Sequence, residues 1–160
     1  MAKKYILKVE TGHYNMTPFG FHKYASDYLI AADSWTKNIM KEGYSPVPYF
    51  LYSRSIELGL KAYLLAKKLS LKSVIKCSHD LNMTLNLAKL NFLDSFVTMS
   101  SDEEKHITLA NEIYSKKGFE YFFILNHVTG IDKFPSLTVL HQYSNKLLKQ
   151  TKVLTDNTDI

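Results

Sequence analysis

The segment that decides the fold is YFLYSRSIELGLKAYLLAKKL, residues 49–69. It is apolar on nearly all faces, and Pro46-Val47-Pro48 marks the boundary before it. A helix that is apolar on most faces is usually buried at the centre of a helical bundle. We therefore expect residues 49–69 to form a central helix against which the other helices pack.

Three charged residues interrupt this apolar segment. Arg54, Glu57 and Lys61 are spaced i, i+3, i+7 and therefore share one face of the predicted helix. Charges on a buried helix are costly unless they are paired or hydrogen-bonded. The pattern fits either a structural ion pair that joins two helices or the polar wall of a ligand groove, because charged clusters also mark binding sites.

The first helix is predicted to start at Thr17-Pro18 and to end near Gly43. Threonine is a good N-cap, proline suits the first helical position, and glycine commonly follows the last turn. The apolar stripe of this helix comprises Phe21, Tyr24, Ala25, Tyr28, Ala31, Ala32, Trp35 and Ile39. A connector rich in lysine and serine, residues 70–77, is expected to follow the central helix without structure of its own.

Three more helices are predicted after that connector. Ser78 is expected to cap the next helix, with Asp80 in its first turn at the positive end of the helix dipole. A capping box at residues 101–104 starts another helix, which ends at Gly118, and Ser136 caps the last one. The buried face of the helix after Ser78 is predicted to comprise Leu81, Leu85, Ala88 and Phe92.

These elements predict an all-α, up-and-down bundle of about five helices, preceded by a short strand at Tyr5–Val9. The length of 160 residues is that of one domain, residues 1–160. We expect its core to span residues 17–153. Residues 1–16 form an N-terminal arm and residues 154–160 a flexible tail in this interpretation.

The composition and the absence of certain motifs exclude several classes of function. The net charge is +5, yet Arg54 is the only arginine and every other basic residue is lysine. The single cysteine, Cys77, excludes an intramolecular disulfide and a zinc site built from several cysteines. No glycine-rich phosphate loop or paired-histidine zinc motif is present, so neither cofactor nor metal is expected. No apolar run is long enough for a secretion signal or a membrane span, which predicts a cytoplasmic protein that does not bind membranes.

Two histidines are candidates for chemistry. His79 and Asp80 stand together at a predicted helix start, where a histidine can bind phosphate or exchange protons. The alternative is a capped helix whose histidine only packs on a neighbour. His106 lies on the fourth predicted helix and is the second candidate acid or base.

Two groups of lysines could form a weak, sequence-nonspecific surface for nucleic acid. Such surfaces combine clustered basic residues with nearby aromatic ones. Arginine is preferred for bidentate phosphate contacts, however, and only one is present. The first group is Lys67, Lys68, Lys72 and Lys76, and the second is Lys116 and Lys117.

The run from Tyr49 to Leu64, followed by Ser78-His79-Asp80-Leu81, resembles the HEPN superfamily. Small prokaryotic members show an apolar helix that ends in a Glu-x-x-Leu-Lys-Ala-like stretch, then a loop and a His-Asp-Leu helix start. The resemblance implies a helical bundle that commonly dimerises. It also implies RNA cleavage without metal, RNA or nucleotide binding, or partnership with a nucleotidyltransferase in a toxin–antitoxin pair.

The ribonuclease members carry an arginine and a histidine separated by four to six residues. Arg54 has no histidine at positions 59, 60 or 61, and Lys105-His106 does not restore the pair. We therefore expect a non-catalytic, dimeric domain that binds a nucleotide, nucleic acid or partner protein in a toxin–antitoxin or defence setting. Its groove would be built from Arg54, Glu57, Lys61, His79 and Asp80.

Two alternatives remain open at this point. The first is a degenerate ribonuclease that needs no metal and uses His79 or His106 as its acid or base. The second is a structural protein-interaction module without a small ligand. A large exposed aromatic patch around Phe119–Phe123 would indicate the module.

Overall fold

The computed structural model describes residues 16–38, 44–121 and 134–156. These residues form an all-α bundle of six helices and contain no strand. The predicted strand at Tyr5–Val9 and the predicted helix end at Gly43 lie outside the described residues. The helices are α1 (Pro18–Asn38), α2 (Val47–Ala66), α3 (Leu71–Ile75), α4 (Leu81–Leu90), α5 (Ser101–Tyr114) and α6 (Leu137–Asp156), with a 3₁₀ turn at Leu93–Ser95.

Helix α2 is the centre of the bundle, as its apolar sequence predicts. It packs against α1, α3, α4, α5 and α6. Ile56, Leu60 and Tyr63 are fully buried, and so are most residues of the helix from Tyr52 to Leu65. Burial on all sides accounts for the absence of a single apolar stripe on this helix.

Small residues on α2 let α1 and α6 approach it closely. The Ser55 hydroxyl donates to the Ala25 carbonyl at 2.8 Å and lies 2.6 Å from the Ser144 hydroxyl. Gly59 lies under Leu147 and Leu148 of α6, and a Cβ atom at position 59 would be 2.9 Å from Leu147 Cδ2. Glycine is therefore required at this crossing by close packing rather than by backbone conformation.

The predicted helix starts are confirmed at α1 and α6, and two others shift. Thr17 Oγ1 accepts from the Gly20 N–H at 3.0 Å, and Ser136 caps α6. The N-cap of α4 is Asp80 rather than Ser78, because Ser78 takes a left-handed φ of 48°. The capping box of α5 joins Ser100 to Glu103, one residue earlier than predicted.

Two predictions around α4 were wrong. The connector at residues 70–77 contains the short helix α3, because Ser70 accepts from the Ser73 N–H and caps a first turn. Phe92 is 69% exposed rather than buried, since its left-handed φ of 66° ends the chain's helical path there. Leu81, Leu85 and Ala88 are buried as predicted, and Leu93 then continues the core.

The buried face of α1 differs from the predicted aromatic stripe. His22, Ala25, Leu29 and Ala32 line it, whereas Tyr24 is 47% exposed. The His22 ring donates from Nε2 to the Leu148 carbonyl at 2.9 Å, so a polar side chain occupies a position on the inner face. Alanine at positions 25 and 32 allows α1 to lie close to α2.

The end of α5 also differs from the prediction. The helix stops at Tyr114, and Lys117 rather than Gly118 takes the left-handed conformation, with φ at 60°. The Gly118 N–H donates to the Ile113 carbonyl at 2.8 Å, which closes the turn. A Cβ atom at Gly118 would lie 2.6 Å from Ile113 Cγ2. Glycine at this position therefore avoids a clash with the Ile113 side chain.

Candidate functional site

The face of α2 that carries Arg54, Glu57 and Lys61 is built around the Glu57 carboxylate. This side chain is completely buried. Its Oε1 accepts from Lys61 Nζ at 2.6 Å, and its Oε2 accepts from Arg54 Nη1 at 2.9 Å. The Tyr114 hydroxyl of α5 donates to Oε2 at 2.5 Å. One carboxylate therefore connects two cations of its own helix to a second helix.

The turn before α4 completes this arrangement, which we call the Glu57 cluster (Arg54, Glu57, Lys61, His79 and Tyr114). Lys61 Nζ also donates to the Ser78 carbonyl at 2.5 Å. His79 Nδ1 lies 3.2 Å from both Glu57 Oε2 and Arg54 Nη1. The nitrogen donates to Glu57 in one tautomer and accepts from Arg54 in the other.

Asp80 does not join the cluster. Its carboxylate accepts from the Met83 N–H at 2.8 Å and from Asn111 Nδ2 at 3.2 Å. Asn111 Oδ1 in turn accepts from the Leu81 N–H at 2.7 Å. Asp80 and Asn111 thus hold the start of α4, and through it they position the neighbouring His79.

Sequence reasoning missed Asn111 and the polar role of Tyr114. Both lie on the inner face of α5, at i+4 and i+7 from the buried Ile107. A buried polar residue on an apolar helix face usually has a hydrogen-bond partner, and this was the available signal. Only the placement of α5 beside α2 and α4 shows which partners these are.

Electrostatics keep the Glu57 cluster charged. Burial raises the pKa of Glu57, but attraction to Lys61 and Arg54 and hydrogen bonds from Lys61 and Tyr114 outweigh it, so the pKa lies below 4.5. Burial lowers the pKa of Arg54, but the nearby Glu57 and Tyr114 raise it overall. Burial and the Glu57 charge raise the pKa of Tyr114, which therefore remains a donor.

The cluster carries two permanent cations and one carboxylate, so one positive charge is not compensated within it. The Glu57 side chain is sealed and Lys61 is 9% exposed, whereas Arg54 is 26% and His79 is 39% exposed. The surplus charge therefore reaches solvent at Arg54 and His79. We call this partly exposed pair of side chains the Arg54–His79 mouth.

Acid is expected to weaken the fold through Glu57. Because the pKa of Glu57 is lower in the folded protein, its ion pairs stabilise the fold fully above about pH 4.5 and are lost as the pH falls through the folded pKa. Urea unfolding between about pH 3 and pH 7 measures this effect. Wild type should lose more stability on acidification than Glu57→Gln, which has no such carboxylate.

The exposed pair Lys23–Asp27 supplies the control for this measurement. Its side chains are 59% and 49% exposed, so Asp27→Asn should keep the acid dependence of wild type. Parallel stability curves for wild type and Glu57→Gln would contradict the assignment of the acid-sensitive ion pairs to Glu57.

His106 lies away from the Glu57 cluster. Its Nδ1 accepts from the Ser136 N–H at 3.1 Å, and its Nε2 lies 3.6 Å from Asp102 Oδ1. Tyr114 follows eight residues later on α5, which is about 12 Å along the helix axis. His79 is next to Tyr114, with ring centroids 6.1 Å apart. The two candidate histidines are therefore not brought to one reacting atom.

The predicted lysine groups lie at the ends of helices. Lys67 differs from the other lysines of its group because its Nζ contacts an aromatic ring, 4.9 Å from the Phe96 ring centroid. Along the chain, Lys76 precedes His79 by three residues, and Lys116 follows Tyr114 by two. The exposed members are Lys68, Lys72, Lys76, Lys116 and Lys117.

The aromatic patch that would indicate an interaction module is not formed by Phe119. This residue is 4% exposed and stacks on Tyr49, with ring centroids 5.5 Å apart. Tyr121 is 61% exposed, and Phe122 and Phe123 lie outside the described residues. The aromatic ring of Phe119 therefore belongs to the core.

No family model, curated protein or solved structure matches this chain. Fold and site together define it as an all-α bundle whose central helix carries a buried carboxylate held by two cations, a histidine and a tyrosine. Within residues 16–38, 44–121 and 134–156, no helix is long and apolar enough to cross a membrane. The same residues hold no group of three acidic, histidine or cysteine side chains placed for a metal ion.

Proposed function

We propose that the protein is a non-catalytic, HEPN-like domain that binds a phosphate-bearing ligand, a nucleotide or RNA, at the Arg54–His79 mouth. The observation that carries this proposal is the uncompensated positive charge of the Glu57 cluster, exposed at a guanidinium and an imidazole. An arginine held in place by a buried carboxylate needs little reorganisation to bind phosphate with its remaining N–H groups. Exposed lysines such as Lys76 and Lys116 would add salt-dependent attraction.

The residues that His79 and His106 contact favour a binding role over catalysis. His79 contacts an arginine and a carboxylate, and His106 accepts a backbone N–H and holds the start of α6. Acid–base cleavage of RNA needs proton-transfer groups within reach of the same phosphate. His106 lies about 12 Å along α5 from Tyr114, the residue that His79 contacts, and this separation argues against such a pair.

The proposal includes self-association. Three apolar side chains on and after α4 are exposed, namely Met83 at 50%, Leu90 at 79% and Phe92 at 69%. Exposed apolar residues in one region are typical of protein–protein contacts. Sedimentation of the purified protein measures its oligomeric state.

Binding is expected to depend on Arg54 and His79. The probes are a fluorescently labelled single-stranded RNA of about 12 nucleotides and, separately, ATP without metal. The double variant Arg54→Gln/His79→Gln should weaken binding of at least one probe about tenfold or more, since charge-assisted hydrogen bonds to phosphate are lost. Anisotropy and calorimetry measure the two affinities.

Lys149→Gln is the matched control, because Lys149 is an exposed cation of α6. It should change the affinity less than about twofold, as expected for one exposed charge screened by salt. Equal binding by wild type and the double variant, with both folded by circular dichroism, would refute the proposal. Shortening of the RNA by wild type but not by His79→Ala would instead establish the ribonuclease.

A further inference from the structure

A cleft lies where α1, α2 and α6 meet. Its volume is about 370 Å³, and Tyr52 lines it from α2. Tyr52 is directed toward α1 and α6, whereas Glu57 is directed toward α5, so the two sites lie on different sides of α2. The lining carries both signs of charge, with Asp33 and Lys37 from α1 and His141 from α6.

The Asp33 carboxylate is held in place by one of its oxygens. Asp33 Oδ1 accepts from the Tyr52 hydroxyl at 2.9 Å and lies 3.3 Å from His141 Nε2. Tyr52 is 2% exposed, and burial together with the nearby Asp33 raises its pKa to about 12, so it stays a donor. Among the described residues, no hydrogen bond to Asp33 Oδ2 accompanies the one that Tyr52 makes to Oδ1.

Lys37 follows Asp33 by four residues, which is a favourable spacing for an ion pair on a helix. The pair Lys23–Asp27 of the same helix closes at 2.6 Å. Asp33 and Lys37 form no such pair in the structure, and the Asp33 carboxylate accepts from the Tyr52 hydroxyl instead. An acidic and a basic residue therefore line one cleft without forming an ion pair with each other.

We propose that this cleft binds a free amino acid as its zwitterion. The ligand ammonium would contact Asp33 Oδ2, and its carboxylate would contact Lys37 Nζ and the Thr138 hydroxyl. Leu137, the apolar member of the lining, would pack against the ligand side chain. A simple amine lacks a group for Lys37 and a simple carboxylate is repelled by Asp33, whereas a zwitterion matches both charges. The volume lies within the ordinary range for small-molecule sites.

The test compares L-leucine with two analogues that each lack one charge, isopentylamine and 4-methylpentanoate, after a screen of the standard amino acids. Calorimetry should show that leucine, or another amino acid from the screen, binds at least about tenfold more tightly than either matching analogue, as expected when each charge adds a charge-assisted hydrogen bond. Lys37→Gln should weaken amino acid binding by a similar factor, and Lys23→Gln should leave it unchanged.

Two outcomes would overturn the proposal. One is the absence of binding by every amino acid up to about 10 mM, a concentration that detects even millimolar affinity. The other is equal binding of the amino acid and its amine analogue, which would assign the cleft to simple cations. Lys37 is exposed, so the folding of Lys37→Gln does not limit the measurement.

Discussion

Replacing Glu57 with leucine is expected to lower the free energy of unfolding by about 3–5 kcal/mol. The variant leaves Lys61, whose side chain is 9% exposed, beside Arg54 without a carboxylate between them. The Tyr114 hydroxyl also loses its acceptor inside the protein. Urea unfolding monitored by circular dichroism at neutral pH measures the change.

A second substitution distinguishes unpaired charge from lost packing. In the double variant Glu57→Leu/Lys61→Met, the buried ammonium is removed together with its partner. The double variant should therefore be more stable than Glu57→Leu alone, since apolar groups replace buried ion pairs at little cost. Lys61→Met alone should cost about 2 kcal/mol, because Glu57 keeps Arg54 and Tyr114.

The matched control is Asp27→Leu, which breaks an exposed pair on α1 and should cost less than about 1 kcal/mol. If Glu57→Leu cost no more than Asp27→Leu, the Glu57 cluster would not stabilise the bundle. Should Glu57→Leu fail to fold, the milder Lys61→Met still tests the expectation by its own stability.

Gly59→Val is expected to destabilise the protein by about 3 kcal/mol, although valine favours a helix more than glycine does. A Cβ atom at position 59 would lie 2.9 Å from Leu147 Cδ2 and 3.0 Å from Leu148 Cδ2. Both leucines are buried, so neither can move into solvent. The added methyl groups must push α6 away from α2 or force side chains off their rotamers. Thermal and urea unfolding report the loss.

A smaller side chain on α6 should reverse part of the destabilisation caused by Gly59→Val. Leu147→Ala alone should cost about 2–5 kcal/mol, as a large-to-small change in a core does. Combined with Gly59→Val, it should cost clearly less than the sum, because the valine fills the space left by the leucine. Ala31→Val on the exposed side of α1 is the control and should stay within about 0.5 kcal/mol. Additive effects of the two core substitutions would contradict this packing.

The sequence predicted those features of the helices that depend on residues close together in the chain. The apolar run at residues 49–69 indicated a buried central helix, and Thr17 and Ser136 indicated helix starts that the structure has. The spacing of Arg54, Glu57 and Lys61 placed them on one face, which follows from helical periodicity alone. These features depend on residues within a few turns of one another, so they can be read without the fold.

Local signals failed where neighbouring residues competed for the same role. Ser78 and Asp80 can both cap a helix, and the turn that gives the Ser78 carbonyl to Lys61 leaves the cap to Asp80. Phe92 matched the apolar period of α4, but the chain leaves the helix there and exposes the ring. In both cases the local sequence allowed two structures of similar energy, and packing against the rest of the bundle decided between them.

By itself, the sequence determined an all-α bundle, its central helix and a charged face on that helix, because hydrophobic periodicity and capping act over short stretches of chain. Only the tertiary structure decided what those charges meet. Glu57 is joined to Tyr114 57 residues away, and Asp33 of α1 to Tyr52 of α2 and His141 of α6. Such contacts depend on how whole helices pack, which no short stretch of sequence specifies. Both the Arg54–His79 mouth and the cleft between α1, α2 and α6 arise from that packing.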